Sequence, residues 1–324
     1  MSPAALRRRL FDGRRALGAF GVAVGLHLLG TASIEGYSAL FSLRSMLVLA
    51  TLLAVACVGQ TLVVLLGGID LSIPFVIGFA NVVAARLYGG GMDFGLVLVV
   101  IAGLALLIGL VNASLSSRLE IHPLIVTLGV GTAVQGVVQL WTGGFPTGAA
   151  PSWLGAFVSI GGHLGPLPVP AVVPSFLVLA LLMGVVLDRT AFGRRLYAVG
   201  SNPLAAPLAL IDPHRVRAAA YALSALFAAL TGVLLLGFTG SAYGDVGQPY
   251  LFQTIAAVVI GGTALVGGRG GLLGTIAGAL VLTEINTLLI GLGLTPALVE
   301  AVLGLVIIFL VSLYGREPHV RTSI

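Results

Sequence analysis

The 324-residue chain is 58% hydrophobic and only 8% charged, with a mean hydropathy of +1.13. A soluble domain does not carry so much apolar surface into water, so the composition excludes one and points to an integral membrane protein. The formal net charge of +5 rests on arginine alone, because the chain contains no lysine.

Apolar runs of about 20 residues, enough to cross roughly 30 Å of hydrocarbon, recur along the whole chain. They are continuous rather than alternating, which favours helices over an outer-membrane barrel. The start, LRRRLFDGRRALGAFGVAVGLHLLG, has the basic head and apolar centre of a signal peptide. No small-residue cleavage site follows Leu29, so residues 1–15 read as a cytoplasmic basic N-terminus and the apolar run as a retained helix. Spans are expected at 16–32, 42–66, 73–88, 94–116 and 123–141. A second set follows at 169–187, 216–239, 250–266, 272–291 and 296–314.

The fold class is therefore all-α: a polytopic membrane protein of about ten transmembrane helices, one membrane domain over 16–314, and a cytoplasmic tail at 315–324. With the N-terminus inside, only Arg44 and Arg86 of the 16 arginines fall in outer segments, which leaves 14 inside. That bias satisfies the positive-inside rule and puts both termini in the cytoplasm.

Two connections are long. The outer stretch 142–168 is rich in glycine and proline, holds Trp153 and His163, and reads as an ordered loop. The inner stretch 188–217 carries five arginines around a short Ala/Leu segment bounded by Asn202, Pro203 and Pro213, and reads as a contact surface or as a solvated basic loop that sets topology. A faint internal echo links QTLVVLLGGIDL from Gln60 to QTIAAVVIGGTAL from Gln253.

Polar residues at membrane depth are costly and mark pathways or helix joints. Asp70 is the foremost, because Gly67, Gly68 and Pro74 break the helix around it, and irregular backbone survives at depth only beside a cavity or inside protein. It fits a lining role and equally a capping role ahead of the next helix, and the two are compatible. Gln60, Asn81, Asn112, Gln135, Glu284 and Asn286 complete the candidate substrate pathway; their amides suit polyol recognition and suit helix packing as well. Glu300 opens the last span. The pairs Gly274/Gly278 and Ala228/Gly232 read as close-packing faces. Cys57, the one cysteine, sits in an apolar run as a core residue and allows no internal disulfide.

Without lysine there is no P-loop, so the chain cannot supply its own ATPase. His27, His122, His163, His214 and His319 are scattered, and neither metal-ligand spacing nor a nucleophile constellation is visible. No enzyme chemistry, metal or resident cofactor is expected.

Four stretches, GQTLVVLLGGIDLS (59–72), HPLIVTLGVGTAVQGVVQLWTGG (122–144), FGRRLYAVGSNPLAA (192–206) and TIAAVVIGGTALVGGRGGLLGTIAGAL (254–280), together resemble the permease subunits of ribose-type sugar ABC importers. That family is related to the branched-chain amino acid permeases. The resemblance runs in order from about Leu43 to Tyr314. It implies a type II importer-like, homo- or heterodimeric pore, each subunit with about ten helices. It implies a separate cytoplasmic ABC ATPase, which binds the ATP and Mg, and a periplasmic or lipoprotein sugar-binding protein. It also implies a bacterial inner-membrane location and no nucleic-acid partner.

By the same resemblance Ser201, Asn202, Pro203, Leu204, Ala205, Ala206, Pro207 and Leu208 form the ATPase-coupling segment, as a short helix over roughly 202–211. Pro203 and Leu204 stand where relatives usually carry acids, with another proline at Pro207; Pro74 stands where they tend to have glycine or valine, and Gln135 where many have arginine. The competing function is a self-contained secondary transporter or facilitator using Asp70 or Glu284 as a proton site.

Overall fold

The computed structural model describes residues 3–119, 121–165 and 168–314, and their regular elements are all helical. The expected tail at 315–324 lies outside these residues. The first helices are α1 (Pro3–Ser33), α2 (Leu40–Leu65), α3 (Ile73–Gly89), α4 (Phe94–Arg118) and α5 (Pro123–Thr142). A short α6 (Ser152–Val158) precedes α7 (Val172–Arg189) and α8 (Ala191–Ser201). After a 3-10 turn at Ala206–Ala209 come α9 (Pro213–Thr239), α10 (Tyr250–Ile260), α11 (Leu272–Gly291) and α12 (Pro296–Tyr314).

Among the described residues seven helices are long and apolar enough to cross a membrane: α1 over Gly13–Ser33, α2, α4, α5, α7, α9 and α11. The other three expected positions hold shorter apolar helices: α3, α10, and α12 over Pro296–Val306. Helix α10 stops at Ile260, short of the expected 266, because Gly261 and Gly262 follow and Gly262 turns the chain at φ +85°.

Helices α2 and α9 are the interior of the molecule, with 89% and 78% of their most apolar windows buried, against 22% for α5. Lipid offers little hydrophobic drive between helices, so close backbone approach must hold them. A methyl at Gly59 of α2 would stand 2.8 Å from Ser224 Cα on α9, one at Gly109 of α4 2.6 Å from Ala222 Cα, and one at Gly232 of α9 2.2 Å from the Ile77 carbonyl of α3. Helices α10 and α11 meet in the same way through Gly261 against Gly274 and Ala257 against Gly278. The two small-residue pairs picked out in the sequence thus sit at real crossings.

The arginines sort by end. Arg15 donates to the Gly262 carbonyl at 3.2 Å at the end that carries α8, where the arginines of α8 and of the start of α9 also lie. At the far end Arg44 donates to the Pro168 carbonyl at 2.9 Å, and Arg86 stacks 4.7 Å over the Trp141 ring. The long connection after α5 is an ordered cap here. Leu154 and Val158 of α6 press on Gly237 of α9, Trp153 meets Phe94 edge-on at 5.4 Å, and Ala149 donates to the Ala85 carbonyl at 3.2 Å.

The sequence echo has a structural counterpart. Helix α2 ends with Gly67 and Gly68 donating to the Val64 and Val63 carbonyls, and α10 with Gly262 and Thr263 donating to those of Val259 and Val258. Gly67 (φ +78°) therefore matches Gly262 (φ +85°), which lies two residues further from its glutamine.

Candidate functional site

The break between α2 and α3 is a junction of five elements. Gly67, in the left-handed region, turns the chain, and the stretch through Ser72 then leaves backbone groups without helical partners. Side chains supply them. Asp70 Oδ1 accepts from the Ser72 N–H at 2.9 Å and the Ser72 hydroxyl at 2.5 Å, and Oδ2 accepts from Ser224 of α9 at 2.7 Å. Asn112 of α4 donates to the Ser72 hydroxyl at 2.8 Å, and Thr127 of α5 accepts from the Leu71 N–H at 2.9 Å. Asp70 is 2% exposed. Its carboxylate joins the start of α3 to α9, and the Ser72 hydroxyl extends the link to Asn112 of α4.

On the side of the break facing α8, three glycine-bearing stretches close on one another. A methyl at Gly200 would meet the Leu65 carbonyl at 1.8 Å, one at Gly267 would meet the Gly67 nitrogen at 2.7 Å, and one at Gly268 the Ser201 hydroxyl at 2.6 Å. Gly268 donates to the Leu65 carbonyl at 2.9 Å, and Tyr197 of α8 donates to the Gly270 carbonyl at 2.9 Å. GGIDLS, YAVGSNP and GGRGG, far apart in sequence, thus form one knot of backbone contacts.

The segment 201–211 projects from that knot. It is a turn followed by the 3-10 turn, not the continuous helix expected over 202–211: Pro203 and Pro207 withhold the N–H groups an α-helix needs, and Leu210 ends the turn at φ +57°. Asn202 Oδ1 fixes the start by accepting from Leu204 and Ala205 at 3.0 Å each. Ala206 is buried as the anchor, while Leu204, Leu208 and Leu210 are 87%, 88% and 96% exposed.

In the half nearer the far end lies a cavity of about 100 Å³ between α3, α5 and the 243–245 loop. Gln135, Gln139 and Thr142 of α5, Phe79 of α3, and Tyr243 and Asp245 line it. Gln135 donates to Asp245 Oδ1 at 2.7 Å. The loop is laid directly on α3: a methyl at Gly78 would stand 1.9 Å from the Gly244 carbonyl, and one at Gly247 2.0 Å from that of Pro74. Asn81 accepts from the Tyr243 N–H at 2.9 Å and donates to the Gly232 carbonyl at 3.3 Å, so it positions the loop. Asp245, Tyr243 and Gln139 were not singled out from sequence; the available signal was the spacing of Gln135, Gln139 and Thr142 along one helix face.

The remaining candidates divide. Glu284 of α11 accepts from Tyr37 at 2.8 Å and pairs with His27 Nδ1 of α1 at 3.2 Å, so it clasps α1 to α11. Burial, and then the hydrogen bond and charge of Glu284, push the Tyr37 phenol well above its ordinary value. Gln60 is fully buried in α2 and, among the described residues, neither amide atom has a partner; Asn286 Oδ1 is likewise buried and unpaired. Glu300 lies near the start of α12. Asp70 with Asn112, and Gln135 with Asp245, are thus the associations the structure makes. No group of His, Cys, Asp or Glu that could hold a metal occurs among the described residues.

Comparison with known proteins gives these features a context. Residues 42–311 match the family model described as the permease component of branched-chain amino acid transport systems. The chain is 33% identical over 303 residues to the ribose import permease protein of Bacillus subtilis, covering 93% of this chain and 92% of that protein. It is 33% identical to the fructose import permease protein of Rhizobium meliloti, over 91% of this chain and 81% of that one. The autoinducer 2 import system permease protein of Klebsiella pneumoniae is also 33% identical, over 93% and 87%. No solved structure matches.

Proposed function

Because this chain belongs to the family of permease components typified by branched-chain amino acid transport systems, we propose that it is the membrane subunit of an ATP-driven importer that takes a sugar across the inner membrane. A separate ATPase supplies the energy and a sugar-binding protein delivers the solute from outside. The sugar class comes from its similarity to ribose and fructose import permeases. In this reading α3, α10 and α12 complete ten crossings. Helix α10, at about 16 Å, is too short to cross alone. The chain before it already descends along α3 from Asn81 past Gly78 to Pro74, which supplies the missing depth. Both termini face the cytoplasm, with the arginine-rich α8 end on that side.

One observation carries the coupling role: the apolar knob of Leu204, Leu208 and Leu210, almost fully exposed on a basic end, springs from the knot that holds the α2–α3 break. Three leucines in water have no folding benefit, whereas a groove in a partner would bury them. Movement of the knob by an ATPase would reach Gly67 and Asp70 through Gly200, with no flexible linker between. A second copy of the chain, or a paralogue, completes the pore.

Reconstitution into proteoliposomes with the neighbouring ATPase and binding protein tests the reading. ATP-dependent uptake of sugar is expected, with none by the chain alone; uptake by the chain alone, indifferent to ATP, would establish a facilitator instead. Leu204→Ser with Leu208→Ser is expected to abolish coupled uptake while leaving the melting temperature of the isolated chain unchanged.

A further inference from the structure

The cavity between α5 and the 243–245 loop has a chemistry of its own. Thr132, Gln135, Gln139 and Thr142 follow one another at intervals of three, four and three, which puts them on one face of α5. The opposite face presents Val137 and Leu140, 65% and 86% exposed. A helix does not offer amides to hydrocarbon, so Val137 and Leu140 meet lipid while the polar stripe meets water or solute.

The far wall adds Asp245 and Tyr243. One Asp245 oxygen takes the Gln135 amide, and among the described residues the other oxygen, the Gln139 amide and the Tyr243 hydroxyl make no bond within the chain. Among the described residues no cation pairs with Asp245. The two arginines of this end are engaged elsewhere, Arg44 at the Pro168 carbonyl and Arg86 over Trp141.

We propose that this cavity is a binding station for one neutral, polyhydroxylated ring, a monosaccharide in uncharged form. Asp245 and Gln139 hold adjacent hydroxyls, Tyr243 and Phe79 cover the apolar face of the ring, and the uncompensated carboxylate turns away sugar phosphates and sugar acids. The second Asp245 oxygen accepts from one hydroxyl while the Gln139 amide takes its neighbour, and a hydrogen bond to a charged group is the stronger kind. The volume of about 100 Å³, several times the roughly 10–15 Å³ that one water needs, suits one small ring and not a chain of sugars. Asn81 acts as a positioning residue by fixing the Tyr243 backbone. The assignment rests on the importer reading for the identity of the solute class.

Site-specific labelling tests it in the reconstituted complex. The sole cysteine, Cys57, is fully buried, so a Gln135→Cys chain presents one reactive thiol to a membrane-impermeant maleimide, leaving Gln139 and Asp245 in place. D-ribose or D-fructose is expected to slow labelling several-fold, and ribose 5-phosphate to leave it unchanged. Adding Asp245→Asn is expected to weaken the protection at least roughly tenfold, the effect of one charged hydrogen bond, with the melting temperature retained. Labelling indifferent to the neutral sugars in a complex that does import sugar would overturn the station and leave the importer reading standing. Equal protection by ribose 5-phosphate, or full protection with Asp245→Asn, would overturn the role of the carboxylate. A complex that imports no sugar yet shows neutral-sugar protection would retain the station and overturn the importer reading.

Discussion

The hydroxyl of Ser224, in the middle of α9, reaches the carboxylate of Asp70 at 2.7 Å across a residue separation of 154. The same residue is the one whose backbone Gly59 lets α2 approach, since a methyl at Gly59 would stand 2.8 Å from Ser224 Cα. The acid that looked anomalous in an apolar run is thus the point where the broken segment is tied to the central helix.

Asp70→Asn replaces one acceptor oxygen with a donor that faces either the Ser72 or the Ser224 hydroxyl. A loss of about 1–3 kcal/mol in stability is expected, as for a broken buried hydrogen bond to a charged group, and Ser224→Ala should cost less because it removes one donor of three. Thermal unfolding in detergent measures both. A full-strength melting temperature for Asp70→Asn would return Asp70 to the pool of pathway residues without a structural duty.

Gly200 and Gly184 make a matched pair. A methyl at Gly200 would press 1.8 Å from the Leu65 carbonyl, while one at Gly184 of α7 meets nothing within 4 Å. Gly200→Ala is expected to destabilise by about 1–3 kcal/mol through overpacking and to reduce ATP-coupled uptake by loosening the knob from the break. Gly184→Ala should be neutral or stabilising by up to about 1 kcal/mol, since it adds helix propensity in open space. Equal behaviour of the two would deny the knot its role.

Gln60 tests whether an unpaired amide is kept for transport. Exchange of a buried, unsatisfied polar side chain for an apolar one of similar shape is neutral or stabilising. Gln60→Leu is therefore expected to hold or raise the melting temperature while it lowers the uptake rate. A variant that is both less stable and fully active would identify Gln60 as a packing residue.

The clasp of His27, Tyr37 and Glu284 predicts a different pattern. Tyr37→Phe is expected to cost about 1 kcal/mol, one ordinary hydrogen bond, and Glu284→Leu more, because it leaves the buried Tyr37 hydroxyl only the long bond to the backbone carbonyl of residue 284 and also removes the His27 partner. Neither should change the sugar concentration at half-maximal uptake. A shift in that concentration for Glu284→Leu with unchanged stability would place Glu284 on the pathway.

Much of this was readable before any contact was known. The positions of all ten apolar helices, the charge bias between the ends and the importance of GGIDLS follow from local properties: run length, glycine and proline placement, and the distribution of arginine. The exposed segment 201–211 was also locatable, although its proline pair makes it a turn rather than a helix. The partners of the polar residues were not readable. Asn81, Asn112, Gln135 and Glu284 each admitted a pathway role and a joint role from sequence, because an amide or carboxylate in a helix carries no sign of what stands opposite it.

The sequence by itself determined that this is a helical membrane protein of the permease family, since composition, periodicity and the four family stretches are local properties. Only the tertiary structure decided that Asp70 ties the start of α3 to α9 while Ser72 takes Asn112 of α4, that GGIDLS, GSNP and GGRGG form one knot, and that Gln135 and Asp245 share a cavity. Those pairings span separations from 40 residues, Ser72 to Asn112, to 200, Gly67 to Gly267, and what selects them is the close approach of glycine-bearing backbones, a three-dimensional condition that no local pattern encodes.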